Sequence, residues 1–66
     1  MKFTLNGQVR DVESGTTLSD LLAALQLAEK QVLVELNGQA VQRADFPTTR
    51  LAEGDGIEIV RMVGGG

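Results

Sequence analysis

The chain is 66 residues long, carries a net charge of −3 and contains neither cysteine nor histidine. Those absences exclude thiol chemistry, soft-ligand metal centres and any Ser-His-Asp or Cys-His catalytic arrangement. The basic residues Lys2, Arg10, Lys30, Arg43, Arg50 and Arg61 are scattered, which excludes the concentrated positive face that nucleic-acid binding needs.

Lys2 to Asn6 alternates, with Phe3 and Leu5 on one side and Lys2 and Thr4 on the other, which is strand spacing with one buried face. Asn6-Gly7 follows, a strong hairpin signal because both residues tolerate positive φ. Gln8 to Val12 reads as the return strand. Val9 and Val12 have opposite parity there, so a bulge near the turn or at Asp11 is expected. A polar strand of this kind suits a sheet edge.

After the turn Ser14-Gly15-Thr16, the segment Thr17-Leu18-Ser19-Asp20 reads as a capping box. Leu18, Leu21, Leu22 and Leu25 form one apolar stripe at helical spacing, which predicts a helix from Leu18 to about Gln26. A helix this short is marginal alone and must dock on the sheet. Ala28-Glu29-Lys30 is read as a connection and Gln31 to Leu36 as a strand, with Val32, Val34 and Leu36 on one face and Leu33 and Glu35 on the other. A second Asn-Gly pair, Asn37-Gly38, turns the chain into Gln39-Ala40-Val41. Gln42 to Thr49 reads as irregular, contains the single proline, Pro47, and offers Phe46 as a lid on the core. Leu51 is a short apolar contact, and Glu53-Gly54-Asp55-Gly56 is a turn. Ile57 to Met62 is the last strand, with Ile57 and Ile59 on one side and Glu58, Val60 and Met62 on the other. Apolar residues on both faces indicate a strand that is central in the sheet or in contact with a partner.

Hairpin, helix, hairpin, loop and strand in that order predict an α+β chain with the β-grasp (ubiquitin-like) fold. Its mixed sheet of about four to five strands packs on one helix, with the last strand parallel to the first. Residues 1–62 are expected to form the domain and residues 63–66 a flexible tail ending in Gly64, Gly65 and Gly66. Glycine has no Cβ, so such a tail can lie extended in a slot too narrow for other residues. The nine acidic residues fall mostly at turns or outward positions and read as solvated surface. A domain this small leaves little room for a substrate cleft of about 300 Å³. No apolar run approaches the roughly 20 residues of a membrane span and no signal-peptide pattern opens the sequence, so the cytoplasm is the expected location.

The opening Met1-Lys2-Phe3-Thr4-Leu5-Asn6-Gly7, the helix start Thr17-Leu18-Ser19-Asp20-Leu21-Leu22 and the segment Val34-Glu35-Leu36-Asn37-Gly38 carry a resemblance. So do Val41 with Arg43, Leu51-Ala52-Glu53-Gly54-Asp55, Ile57-Glu58-Ile59-Val60 and the final Val63-Gly64-Gly65-Gly66. In this order the chain resembles the ubiquitin-like sulfur carriers of the ThiS/MoaD family, most closely the ThiS branch of thiamine biosynthesis. The resemblance implies a protein substrate rather than an enzyme, with no cofactor of its own. An E1-like adenylyltransferase (ThiF-like) would use ATP and Mg²⁺ to adenylate Gly66, and a sulfur donor protein would convert the product to a thiocarboxylate. A thiazole synthase (ThiG-like) would then take the sulfur. Gly64 and Gly65 would thread the partner site. Leu33, Val60 and Met62, apolar on the face away from the core, with Arg61 at the tail base, form the expected docking surface for the adenylyltransferase. Two other readings stay open: a MoaD-like carrier for molybdopterin or cysteine biosynthesis, and a plain β-grasp binding module.

Overall fold

The computed structural model describes residues 1–62. Strands β1 (Lys2–Leu5) and β2 (Gln8–Asp11) form the first hairpin, α1 (Leu18–Ala24) follows, and β3 (Val32–Leu36) and β4 (Gln39–Val41) form the second hairpin before β5 (Gly56–Arg61). Both hairpin turns place an asparagine and a glycine at positive φ, 49° and 84° for Asn6-Gly7 and 53° and 85° for Asn37-Gly38. Positive φ at both central residues is the type I′ signature, whose twist matches that of the flanking strands. The sheet order is β2-β1-β5-β3-β4. β5 lies in the middle, parallel to β1 and antiparallel to β3. This is the β-grasp arrangement expected from the order of elements.

The hairpin β1–β2 contains no bulge. Its register runs without interruption from Lys2↔Asp11 to Leu5↔Gln8. Val9 stands opposite Thr4 on the outer face, while Val12, just past the strand, donates its N–H to Met1 O and packs against the core. The two valines differ in parity because they serve opposite faces, so no extra residue is needed to reconcile them.

Helix α1 is capped as a full box: the Asp20 N–H donates to Thr17 Oγ1 at 3.0 Å and the Thr17 N–H to Asp20 Oδ2 at 3.1 Å. The helix is shorter than the leucine stripe suggested. Leu25 is the C-cap, and Gln26 adopts φ +59°. The Gln26 N–H reaches Ala23 O and the Leu27 N–H reaches Leu22 O, the paired bonds of a Schellman ending. Leu27 then turns back onto the core. A glutamine in the left-handed region hides this ending from a reading that looks for glycine.

Two connections carry more structure than expected. Residues Glu29–Gln31 form a 3₁₀ turn, so β3 begins at Val32 rather than Gln31. Residues Arg43–Thr48 form a second 3₁₀ turn with Pro47 inside it, tightened by the Asp45 carbonyl, which accepts from the Thr49 N–H and from both threonine hydroxyls. This turn presents Phe46 to the core as a lid. The helix start is stitched to the loop behind it by Leu18 N–H to Thr49 O and Leu51 N–H to Thr16 O, each 2.9 Å. The core comprises Phe3, Leu5, Leu18, Leu21, Leu22, Val32, Val34, Phe46, Leu51, Ile57 and Ile59, and no polar residue is buried among them. Burial on one face of the sheet therefore leaves the opposite face of β1, β5, β3 and β4 uncovered. No helix among the described residues is long and apolar enough to cross a membrane.

A Gln26→Gly substitution should raise stability by about 0.5–1 kcal/mol, because relief of left-handed strain outweighs the added freedom of the unfolded chain. Denaturant unfolding at constant m-value checks it. Asp11 gives a pH effect. Its carboxylate accepts from the N-terminal ammonium at 2.9 Å and from Lys2 Nζ at 3.1 Å. These hydrogen bonds, and then the charges behind them, hold its pKa below the ordinary value. A depressed folded pKa stabilises above the unfolded value of about 3.9 and the effect is lost as pH falls through the folded value. Asp11→Asn should therefore melt lower than the parent at pH 7, and the two melting temperatures should converge as pH falls through the depressed folded value of Asp11.

Candidate functional site

The groups of interest sit at the far end of β5, so what fixes β5 fixes the site. β1 pairs with β5 at only two positions, Thr4↔Gly56 and Leu5↔Ile57. Beyond Leu5 the ladder is continued by a side chain. Asn6 donates its backbone N–H to Ile57 O at 2.8 Å. Its amide then pairs with the main chain of Ile59: the Ile59 N–H donates to Asn6 Oδ1 at 2.8 Å, and Asn6 Nδ2 donates to Ile59 O at 3.3 Å. An amide side chain has one acceptor and one donor end, so it can mimic a backbone segment in this way.

The other hairpin does the same at the start of β5. The Gly56 N–H donates to Asn37 Oδ1 at 2.8 Å, Asn37 Nδ2 donates to Asp55 Oδ1 at 3.0 Å, and the Asn37 N–H donates to Gly56 O at 2.7 Å. Asp55 is held in turn, its second carboxylate oxygen accepting from the Ala52 N–H at 2.8 Å. At the far end, β3 guides the strand out through Leu33↔Val60 and Val32↔Arg61, and the Met62 N–H donates to Gln31 O at 2.8 Å. The direction in which the chain leaves the sheet is thus set by main-chain bonds up to Met62.

The structure brings together three of the expected docking residues. Leu33 and Val60 are direct cross-strand partners on the outer face, 60 % and 59 % exposed, and Met62 follows Val60 on the same face at 44 %. Arg61 is exposed but faces the other way, because it alternates with Val60 and Met62 along the strand. Val9 is a fourth exposed apolar residue, at 68 %, which the sequence reading did not single out. It lies two strands from β5 and is aligned through Thr4 with Gly56, so it is not part of the Leu33–Val60 patch. Gly64, Gly65 and Gly66, together with the tail assigned to residues 63–66, lie outside the described residues.

The described surface contains no group of three or more His, Cys, Asp or Glu residues placed to hold a metal ion. Depressions among the described residues include one lined by Val12, Glu13, Thr16, Asp20, Leu21 and Ala24 and another lined by Lys2, Phe3, Thr4, Val9, Glu53 and Gly54. What the arrangement provides is a strand end held by main-chain and amide hydrogen bonds beside an exposed apolar patch.

Comparison with known proteins agrees with that geometry. The ThiS family model matches residues 3–66. The sulfur carrier protein ThiS of Bacillus subtilis is 41 % identical over 63 residues, covering 94 % of this chain and 96 % of that protein. The thiazole synthase of Magnetococcus marinus is 44 % identical over 66 residues, which is all of this chain but 20 % of that protein. The thiazole synthase of Paramagnetospirillum magneticum matches in the same way, so the chain spans about a fifth of the length of these two relatives. The crystal structure of the thiamine biosynthesis protein ThiS from Geobacter metallireducens superposes with a TM-score of 0.85 at 36 % identity, covering all of both chains.

The asparagine clamp can be separated from the turn it sits in. Asn6→Gly keeps a residue suited to positive φ but removes the amide, leaving the Ile59 N–H and C=O without partners. Stability should fall by about 1–3 kcal/mol, measured by denaturant unfolding, and backbone amide exchange at Ile59 should accelerate while that of β4 changes only with global stability.

Proposed function

The chain belongs to the ThiS family, the sulfur carrier proteins of thiamine biosynthesis, and from that premise we propose that its reactive group is the carboxylate of Gly66. The protein acts as a carrier and not as a catalyst, a reading supported by the two relatives named sulfur carrier protein ThiS, which match nearly their whole length. A terminal carboxyl has a pKa of about 3.5 and is ionised at neutral pH, and a resonance-stabilised anion is a poor electrophile. An E1-like adenylyltransferase overcomes this with ATP and Mg²⁺. A carboxylate oxygen attacks the α-phosphorus, pyrophosphate leaves, and the resulting mixed anhydride has lost its charge and gained AMP as a leaving group. Sulfide-level sulfur, HS⁻, delivered by a donor protein then attacks the carbonyl carbon, the C–O bond to AMP breaks, and AMP and a proton leave as the thiocarboxylate forms. Dividing one difficult substitution into two is the general logic of activated intermediates.

Gly64 and Gly65 thread the partner's site, since residues without Cβ pass where others would clash. Leu33, Val60 and Met62 dock against the adenylyltransferase, with Arg61 at the base of the tail. Thiazole synthase is the acceptor of the sulfur, a reading supported by two relatives in which a segment like this chain lies within a protein named thiazole synthase. A supply of ATP and of reduced sulfur suits a cytoplasmic location. The observation that carries the proposal is the β5 exit: a centrally held strand delivers the chain, at Met62, beside an exposed cross-strand apolar pair.

Incubation with ATP, Mg²⁺, the adenylyltransferase and a sulfur donor should raise the intact mass by the difference between one sulfur and one oxygen. Removal of Gly66 should abolish the gain. Val60→Asp with Met62→Asp should slow adenylation at least about tenfold, given the weight of central apolar contacts in interfaces, with little change in melting temperature. An unmodified mass under all conditions would instead mark the chain as a plain binding module.

A further inference from the structure

The outer face of the sheet holds a feature that the carrier reading does not use. Glu35 and Glu58 are direct cross-strand partners, β3 to β5, and both are exposed. Directly opposed side chains on one face have Cβ atoms about 4.5–5.5 Å apart, and like charges at that spacing are destabilising. The pair is not neutralised within the described residues: the ion pairs there are those of Asp11 with the N-terminus and with Lys2. On the β4 side Glu35 faces Ala40. Arg61 alternates to the other face of β5.

This acidic row adjoins the apolar row. Along β5 the outward residues are Glu58, Val60 and Met62, and along β3 Glu35 is followed across the pleat by Leu33. Each step between same-face residues is about 6.8 Å, so the carboxylates lie roughly 13 Å back from Met62 along the strand. A partner that holds the tail and covers Val60 and Leu33 must also lie over or beside the two carboxylates. Covering them without a cation would desolvate two like charges, which is costly. A second copy of this chain brings the same acidic row and a net charge of −3, so it does not fit.

We propose that the Glu35–Glu58 carboxylate pair, next to the Leu33–Val60 patch, receives a basic side chain of the enzyme that activates the terminal carboxylate. The inference rests on the docking role given above to Leu33, Val60 and Met62. The activating enzyme is the chosen occupant because in the two fused relatives the thiazole synthase is already tethered to the carrier segment. An enzyme that arrives by diffusion is the one that gains from charge steering. A guanidinium suits the site, since its planar fork can bond both carboxylates. The pair is thus a contact that weakens the free domain and is relieved in the complex.

The test measures affinity and association rate between the full chain and the purified adenylyltransferase of the same organism, at low and at physiological salt. Three proteins are compared: the parent, the double variant Glu35→Gln with Glu58→Gln, and Val60→Asp. The double variant should bind about tenfold more weakly or worse, lose most of the salt dependence of association, and melt at the same temperature or higher. If it binds like the parent while Val60→Asp loses binding, the carboxylate inference is overturned and the docking patch stands. Weaker binding with an unchanged salt dependence also overturns it, because the loss is then structural. If Val60→Asp binds like the parent as well, the docking patch fails and takes the inference with it.

Discussion

The pairing of two asparagine amides with the main chain of β5 is the constraint on which the arrangement depends. β5 is the middle strand, yet its parallel partner β1 has four residues and meets it at two register positions. Without Asn6, the Ile59 N–H and C=O would lack their partners on that side. Without Asn37, the Gly56 N–H would lose its bond at the strand's start. Each asparagine occupies a turn position that requires positive φ, so one residue type meets two demands. Its short amide tolerates the left-handed conformation and also reaches the neighbouring strand.

This explains which parts of the fold were legible in the sequence. Alternation in Lys2–Asn6 and Val32–Leu36, the two Asn-Gly turns, the Thr17/Asp20 box and the leucine stripe are local signals, and each appears where its spacing indicates. Their order was enough to place β5 beside β1 in a β-grasp sheet. The amide clamps were not legible, because Asn6 and Ile59 are 53 residues apart and nothing local distinguishes a turn asparagine that reaches across from one that does not. The end of α1 is hidden in the sequence because glutamine, not glycine, takes the left-handed position at residue 26. The bulge expected in β2 arose from treating Val9 and Val12 as members of one face. Two stretches read as connections carry 3₁₀ turns, which leave little periodic trace.

The candidate site divides in a similar way. Leu33, Val60 and Met62 could be placed on one face from alternation alone, and the register adds that Leu33 and Val60 are directly opposed. The same register aligns Glu35 with Glu58, a juxtaposition that no single strand reveals. Arg61 belongs to the base of the tail by position but to the opposite face by geometry. The sheet therefore has two distinct faces: one packed on α1 and the Phe46 turn, the other bearing an apolar row and an acidic row in sequence along the strands that lead to the exit.

The central place of β5 also sets an order of assembly. It is the last of the described elements to be synthesised, and the two hairpins become neighbours in one sheet only through it. Emerging chains hold local pairings first, since contacts between distant segments must wait for the later segment to appear. A nascent or truncated polypeptide lacking β5 therefore carries two hairpins and a helix with no common sheet to dock on. Quality control follows from topology: the strand that leads to the proposed reactive end is also the one that joins the two hairpins into one sheet, so a molecule with β5 in place has already completed the described body.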